Sequence, residues 1–237
     1  MNSFLEFKKI KRTGLFLAFI SGGGLVAAIP ILRLMLQTEQ DLANFEAIGK
    51  LLTDNWLMMG LLNSFLIITG ACLLYSIEYS NQGLEKMKTL PVKESSLFFN
   101  KIFLLMVFSL LMLFLEMLAM VVATQLWSDF YEGFGIELMK NFGFLFLMLL
   151  PTVFLALIIS SLFENIWISL GINVTAVFLA TMIYQKNFWL SLFPFAFSFQ
   201  ILEETNQDIY RIVAAIVEIV AFSFIELLII KVRRNIA

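Results

Sequence analysis

Long apolar runs separated by short polar segments dominate this chain. Six of the runs hold about 20 residues each, the length at which an α-helix crosses roughly 30 Å of hydrocarbon. The first run ends in Pro30 and Arg33 without a small-x-small cleavage site, so we interpret it as a span rather than a signal peptide. The pattern therefore predicts six transmembrane helices, near Gly14–Leu32, Leu57–Ile77, Ile102–Leu126, Phe142–Phe163, Ile166–Tyr184 and Ile212–Ile230.

Composition supports lipid as the solvent for most of the chain. Of the 237 residues, 60% are hydrophobic and 14% are charged, and the mean hydropathy is +0.90. Soluble domains hold about 45–50% apolar and about 25% charged residues. No linker is long enough to divide the chain, so we expect an all-α integral membrane protein with one transmembrane domain over residues 1–237.

Basic residues predict the orientation of the six spans. Lysine and arginine accumulate on the cytoplasmic side of a membrane. With both termini inside, the inner segments hold 11 of the 16 basic residues, namely Lys8, Lys9, Lys11, Arg12, Lys86, Lys88, Lys93, Lys101, Lys231, Arg233 and Arg234. We therefore expect both termini to be cytoplasmic.

The segments outside the spans carry apolar patterns of their own. Residues 1–13 interleave Phe4, Phe7 and Ile10 with basic residues, which predicts an amphipathic helix in the headgroup layer. The segment Arg33–Trp56 has apolar residues at helical spacing, which predicts an amphipathic helix on the outer surface, with Leu42, Phe45, Ile48, Leu51 and Leu52 on one face.

Two further connections are distinctive. Spans four and five are joined by only Glu164 and Asn165, which predicts a tight helical hairpin. The segment Gln185–Ile209 is too apolar for a free loop, so we expect it to dip into the membrane or lie on it, with Trp189 near the interface.

The inner segment between spans two and three, Glu78–Lys101, predicts a short charged helix followed by a turn. Ser80 or Asn81 is suited to cap a helix from about Gln82 to Thr89, and Pro91 disfavours helix in the residue before it. Such a helix is a lever through which a soluble partner moves the spans. An ordinary cytoplasmic loop with one helical turn fits the residues equally well, and the residues alone leave both open.

The same segment resembles the permeases of type-2 ATP-binding-cassette (ABC) exporters. The resemblance is carried by Glu78, Gly83, Lys86, the run Leu90–Lys93 and Lys101, together with the six-span layout. It implies that Gln82–Thr89 is the coupling helix, seated in a groove of an ABC ATPase. The residues it assigns to coupling are Glu78, Gly83, Glu85, Lys86, Met87, Lys88, Leu90, Pro91 and Val92.

Small size and short outer segments resemble the permeases of lantibiotic immunity exporters within that family. The resemblance implies a bacterial cytoplasmic membrane, a dimer of ATPase subunits and a second small permease, in a heterodimer rather than a homodimer. It also implies export of an antimicrobial peptide. Permeases that export drugs or other peptides have similar size, so that alternative stays open.

Little in the chain supports catalysis or metal binding. There is no histidine, and Cys72 is the single cysteine, which we interpret as packing. The run Gly22–Gly24 lacks the Lys-Ser/Thr of a phosphate-binding loop, so it predicts close helix packing. We expect no catalytic site, no metal site and no cofactor in this chain, with ATP and Mg²⁺ in the partner ATPase. A net charge of -2 gives no indication of nucleic acid.

Polar residues inside the spans are the remaining candidates, because ionisable groups in hydrocarbon are costly. Glu116, Glu218 and Glu226 are predicted either to bond neighbouring helices as neutral acids or to face a cationic partner or peptide. Other polar residues are expected to hydrogen-bond across helices, namely Asn63, Ser64, Thr69, Asn173, Thr175 and Thr181. A secondary transporter or channel that uses the glutamates as ion sites is the main alternative function. An intramembrane enzyme is disfavoured, because the spans lack a catalytic arrangement.

Overall fold

The computed structural model describes residues 14–36, 48–79, 94–127 and 130–236, and within these ranges the chain forms helices and no strands. The α-helices are α1 (Leu15–Leu36), α2 (Ile48–Tyr79), α3 (Glu94–Trp127), α4 (Phe134–Leu162), α5 (Ile166–Ile183), α6 (Phe188–Ser191) and α7 (Asn206–Ile236). A 3₁₀ turn covers Phe197–Phe199. Six of the helices, all except α6, are long and apolar enough to cross a membrane, which confirms the predicted all-α, six-span fold.

The start of α2 differs from the sequence-based expectation. Residues predicted to belong to a separate surface helix continue α2 without a break from Ile48 onward. Leu51, Leu52 and Trp56 are buried in the bundle core. No proline or glycine separates them from the apolar run that follows, so the helix extends and the apolar face packs inward. The part of the predicted surface helix at 37–47, and the predicted amphipathic helix at 1–13, lie outside the described residues.

Helix α4 is at the centre of the bundle. It contacts α2, α3, α5 and α7, and it is the most buried of the six spans. Helix α1 packs against α3 and α2, and α5 packs against α2 and α4. Helix α7 is the least buried span and has α4 as its main neighbour. Most of the buried polar side chains of the described residues belong to α2, α3 and α4, with fewer on α5 and α7.

The glycine run in α1 supports close packing, as the sequence predicted. Helix α1 continues through Gly22–Gly24 without interruption. A Cβ atom on Gly22 would lie 2.5 Å from Leu66 Cδ2 of α2, whereas Gly24 faces open space. The missing side chain thus leaves room for Leu66 of α2 to pack directly on the backbone of α1.

The hairpin between α4 and α5 is as tight as predicted. Helix α4 ends at Leu162 and α5 begins at Ile166. Asn165 is the N-cap of α5, and its Oδ1 accepts a hydrogen bond of 2.9 Å from the backbone N–H of Trp167. This bond satisfies one of the free amides at the helix start and fixes the point at which the chain reverses.

The segment between α5 and α7 turns into the bundle instead of forming a free loop. Phe195, Ala196 and Phe197 are fully buried, and the 3₁₀ turn packs against α2 and α4. Trp189 in α6 is 82% exposed on the outside of the bundle. The apolar run Phe193–Phe197 thus joins the core, which agrees with the expectation that this segment is not a free loop. Its depth in a membrane stays a prediction. The position of Trp189 relative to a membrane interface stays a prediction.

Candidate functional site

A buried ion pair joins the end of α2 to the beginning of α3. Lys101 Nζ contacts Glu78 Oε1, and the two side chains are only 2% and 5% exposed. The same ammonium group lies 4.6 Å from the centroid of the Tyr75 ring, within the range of a cation–π interaction. We call this end of the bundle, defined by Tyr79, Lys101 and Ser161, the Tyr79 end. Glu78 is next to the last described residue of α2, and Lys101 lies two turns into α3, so the pair joins the two helices near the ends that flank segment 80–93.

Most of the residues assigned to coupling lie in that segment. Glu78 is described, whereas the others lie outside the described residues: Gly83, Glu85, Lys86, Met87, Lys88, Leu90, Pro91 and Val92. The predicted coupling helix Gln82–Thr89 is likewise outside them, so its role stays a prediction.

A second set of contacts at the Tyr79 end connects α2, α4 and α7. The hydroxyl of Tyr79 donates a hydrogen bond of 2.5 Å to the backbone carbonyl of Ser161. Ser161 Oγ donates a hydrogen bond of 2.8 Å to the carbonyl of Ile158 in its own helix and makes a longer contact of 3.3 Å with Glu226 Oε2. Glu226 is almost fully buried. Glu226, one of the two predicted intramembrane glutamates of α7, thus contacts the central helix α4 rather than facing lipid.

Glu116 and Asn63 form a separate polar contact deeper in the bundle. Asn63 Nδ2 of α2 donates a hydrogen bond of 3.3 Å to Glu116 Oε2 of α3, and both side chains are fully buried. The contact confirms that Asn63 bonds across helices. The remaining oxygens, Asn63 Oδ1 and Glu116 Oε1, find no hydrogen-bond partner among the described residues.

Asn173 behaves differently from the prediction. Its Nδ2 donates 2.9 Å to the carbonyl of Ser169 in its own helix, and Thr69, Thr175 and Thr181 likewise donate to carbonyls of their own helices. The expected cross-helix bonds are wrong for these four residues. The donor groups of such side chains can bond the carbonyl three or four positions earlier in the same helix, which requires no neighbouring helix. Asn173 Oδ1 has no hydrogen-bond partner among the described residues.

Cys72 has more polar surroundings than a packing residue needs. Its Sγ lies 3.4 Å from Ser160 Oγ of α4 and 3.4 Å from Ser169 Oγ of α5. All three residues are buried. The thiol therefore connects α2 to both helices of the α4–α5 hairpin, in the half of the bundle toward the Tyr79 end.

The three membrane glutamates do not form one site. Among the described residues, no group of three or more His, Cys, Asp or Glu side chains is close enough to share a metal ion. Glu116 contacts α2 and Glu226 contacts α4. Glu218 of α7 is half-buried, and its Oε2 has no hydrogen-bond partner in the described part of the chain.

At the opposite end, which we call the Ser198 end, polar contacts hold the inserted segment against α2. Trp56 Nε1 donates 3.0 Å to the carbonyl of Ser198, and Ser64 Oγ donates 2.8 Å to Ser198 Oγ. Thr152 of α4 donates 3.0 Å to the carbonyl of Pro194. The aromatic ring of Tyr184 packs on this segment through Phe199, and burial raises the pKa of its hydroxyl against the opposing hydrogen bond from Gln185.

Sequence reasoning missed the residues that complete these contacts. Tyr75 and Tyr79 lie four positions apart, and hence on one face of α2, next to Glu78. Two aromatic side chains beside a glutamate at the end of a span were a signal for a polar cluster there. Ser161 and Ser198 carried no such signal, because a single serine is common in membrane helices and loops.

Comparison with known families identifies the class of the chain. The model of a family described as ABC-2 family transporter protein matches residues 4–180, which is more than half of the chain. The chain therefore belongs to the ABC-2 transporter family. No curated protein and no solved structure matches it.

Membership agrees with the architecture. The chain is a multi-pass membrane protein with six apolar helices, and the family consists of the membrane-spanning permease subunits of ABC transporters. Family membership implies association with an ABC ATPase.

Proposed function

We propose that this chain is the permease subunit of a bacterial exporter that expels lantibiotics or other antimicrobial peptides from the cytoplasmic membrane. The family match and the six apolar helices support the permease role. The short segments between helices support a pathway open to molecules already in the lipid, because no large outer domain is available to collect a soluble substrate.

The observation that carries the coupling step is the buried pair Glu78–Lys101. Segment 80–93 connects the end of α2 to the start of α3, and the pair joins these two helices near those ends. A displacement of the segment by an ATPase is then delivered to both helices at once. In this proposal Lys86 and Lys88 contact the ATPase, Met87 packs in its groove, and Pro91 keeps the turn rigid.

Contacts beyond the ion pair extend the same path. Tyr79 bonds the carbonyl of Ser161, and Ser161 bonds Glu226, so α2 is connected to α4 and α7 at the same end. Movement of the segment thus reaches four helices within a few contacts. The second permease, in a heterodimer with this chain, completes the pathway, and ATP with Mg²⁺ is bound by the partner ATPase dimer.

The acidic residues of the spans support a positively charged peptide as the transported molecule. Lantibiotics are commonly cationic, and Glu218 on the thinly packed helix α7 offers a half-buried carboxyl group without a hydrogen-bond partner in the described structure. A cationic side chain of the peptide is a suitable counter-charge. The excess of basic residues in the inner segments supports both termini in the cytoplasm.

Coupling is tested by co-purification of the assembled complex. Reversing charge with Lys86→Glu and Lys88→Glu is expected to abolish co-purification of the ATPase, and Met87→Pro is expected to do the same. Lys140→Glu, an exposed charge on α4 far along the chain from this segment, is the matched control and should keep the ATPase bound. Transport by the isolated chain in liposomes under a proton gradient without ATP would overturn the proposal.

The cargo is tested separately, in cells that express the complete complex. Tolerance to a panel of lantibiotics is expected to rise, and a Walker-motif variant of the ATPase should remove the gain. Glu218→Gln is expected to lower the tolerance to the most cationic members of the panel. Unchanged tolerance across the panel, with ATPase association intact, would reject the peptide cargo while leaving the permease assignment in place.

A further inference from the structure

Helices α2 and α3 pack against each other, and two polar pairs, Glu78–Lys101 and Asn63–Glu116, join them at equal spacing along both helices. Asn63 precedes Glu78 on α2 by the same 15 positions by which Lys101 precedes Glu116 on α3. Because the helices run in opposite directions, Glu78 faces Lys101 and Asn63 faces Glu116. The two pairs are about 22 Å apart along the helices, at 1.5 Å per residue.

The two pairs differ in how their charges are balanced. Glu78 meets an ammonium group, whereas Glu116 meets only an amide. Within the described residues, neither Asn63 nor Glu116 makes any other hydrogen bond or ion pair beyond the single one of 3.3 Å. An ionised carboxylate in a fully buried apolar environment with one neutral donor is highly unfavourable.

Two oxygens without hydrogen-bond partners, Asn63 Oδ1 and Glu116 Oε1, indicate that the pair needs one more proton. Asn63 Oδ1 is an acceptor without a donor. Glu116 Oε2 already accepts from Asn63 Nδ2, whereas Glu116 Oε1 has no partner. A protonated carboxyl has one O–H donor and an acceptor oxygen, and a primary amide has N–H donors and an acceptor oxygen. One proton on Oε1, donated to Oδ1, therefore satisfies both atoms in a reciprocal pair.

We propose that Glu116 is a proton-binding site that holds a neutral carboxylic acid in a reciprocal hydrogen-bonded pair with Asn63. The amide donates to Oε2, and the acid donates from Oε1 to Oδ1. The pair binds α2 to α3 without a net charge in the bundle, and it keeps the register that brings Glu78 to Lys101.

The variants that test this pair differ by a few atoms. Glu116→Gln replaces the acid by an amide of the same shape, which again offers one donor to Asn63 Oδ1 and one acceptor to Nδ2. We expect the thermal midpoint of the full chain in nanodiscs to stay unchanged in Glu116→Gln and to fall in Glu116→Ala and Asn63→Ala. A fall in Glu116→Gln as large as in Glu116→Ala would overturn the proposal.

Infrared spectroscopy gives a second readout that survives even if the alanine variants fail to fold. The wild-type chain at neutral pH should show the carbonyl band of a protonated carboxyl, shifted in heavy water and lost in Glu116→Gln. Glu218→Gln is the control, in which the Glu116 component of the band remains. Loss of carboxylate bands instead of the acid band in Glu116→Gln would overturn the proposal. Stabilisation of the wild type by Na⁺ or K⁺ that is absent in Glu116→Gln would also overturn it, in favour of a cation.

Discussion

The indole Nε1 of Trp56 donates a hydrogen bond of 3.0 Å to the backbone carbonyl of Ser198, across a separation of 142 residues in the chain. Both partners are buried. The contact ties the first turns of α2 to the segment that turns into the bundle between α5 and α7. At this end of the molecule, the fit between that segment and α2 depends on the absence of a side chain at one position.

That position is Gly60. A Cβ atom there would lie 2.6 Å from the carbonyl oxygen of Ser198, which is backbone and has little freedom to move away. Gly60→Ala is therefore expected to displace the inserted segment and lower the thermal midpoint of the purified chain by several degrees. Gly24→Ala is the control, because nothing lies within 4 Å of its Cβ position. Equal midpoints for the two variants would contradict the close approach at Gly60.

Removal of one partner of the Glu78–Lys101 pair should destabilise the chain more than removal of both. Breaking a buried ion pair typically costs roughly 3–5 kcal/mol, because one charge is left uncompensated, whereas replacing both partners by neutral residues is often tolerated. Lys101→Met and Glu78→Gln are each expected to lower the midpoint strongly, and the double variant to recover much of the loss. Thermal denaturation followed by fluorescence-detected size exclusion measures the three variants side by side.

Additive losses of stability in the two single variants would contradict this prediction. If the double variant lost as much stability as the two single variants together, Glu78 and Lys101 would be acting independently. Lys231→Met is a suitable surface control, since this lysine is exposed on α7.

Cys72 should be unreactive until the bundle opens. Its thiol is buried between the hydroxyls of Ser160 and Ser169. A membrane-permeant maleimide is expected to label the chain only after denaturation in dodecyl sulfate, and mass spectrometry measures the labelled fraction. Rapid labelling of the folded chain would show that α2 separates from the α4–α5 hairpin.

The stability of variants at Cys72 should depend on the hydrogen-bonding capacity and the size of the new side chain. Cys72→Ser keeps a donor and acceptor of similar volume, so we expect a nearly unchanged midpoint. Cys72→Leu adds atoms to a closely packed interior, where overpacking typically costs about 1–3 kcal/mol. A serine variant less stable than the leucine variant would contradict the polar environment described for this thiol.

The start of α7 depends on Asp208. Its Oδ2 accepts hydrogen bonds from the backbone N–H groups of Glu203 and Thr205, at 3.1 and 3.0 Å, and its Oδ1 accepts one of 2.9 Å from Arg211. Asp208→Ala is expected to destabilise the chain by about 0.5–2 kcal/mol, as for other lost helix caps. Asp208→Asn keeps acceptor capacity and should lose less. Hydrogen exchange of residues 203–211 would report the local opening, and unchanged exchange in Asp208→Ala would contradict the role of these bonds.

The six spans could be predicted from the sequence because their length is set by the thickness of the hydrocarbon, which requires no knowledge of neighbours. The start of α2 could not, because the apolar face of Leu51 and Leu52 suits a surface helix and a core helix equally well. The burial of Leu51 and Leu52 in the bundle core, seen only in the packed structure, decides between them.

The partners of the polar residues were less predictable for a related reason. Glu116 and Glu226 were identified as candidates from their types and positions, and Glu78 from the family resemblance. Their partners depend on helix register and on which helix is central, and these follow from side-chain packing over the whole bundle. Asn173 and the three threonines illustrate the limit, since bonds within a helix are available to them wherever they point.

The thin packing of α7 has a consequence for how strongly that helix is held. Most of its surface already faces outward, and lipid chains solvate an apolar face about as well as leucine side chains do. Swinging α7 away from the bundle would therefore exchange protein contact for lipid contact at little cost. The polar contact between Ser161 and Glu226 has no equivalent in lipid, so it favours the position of α7 against the bundle over one surrounded by lipid.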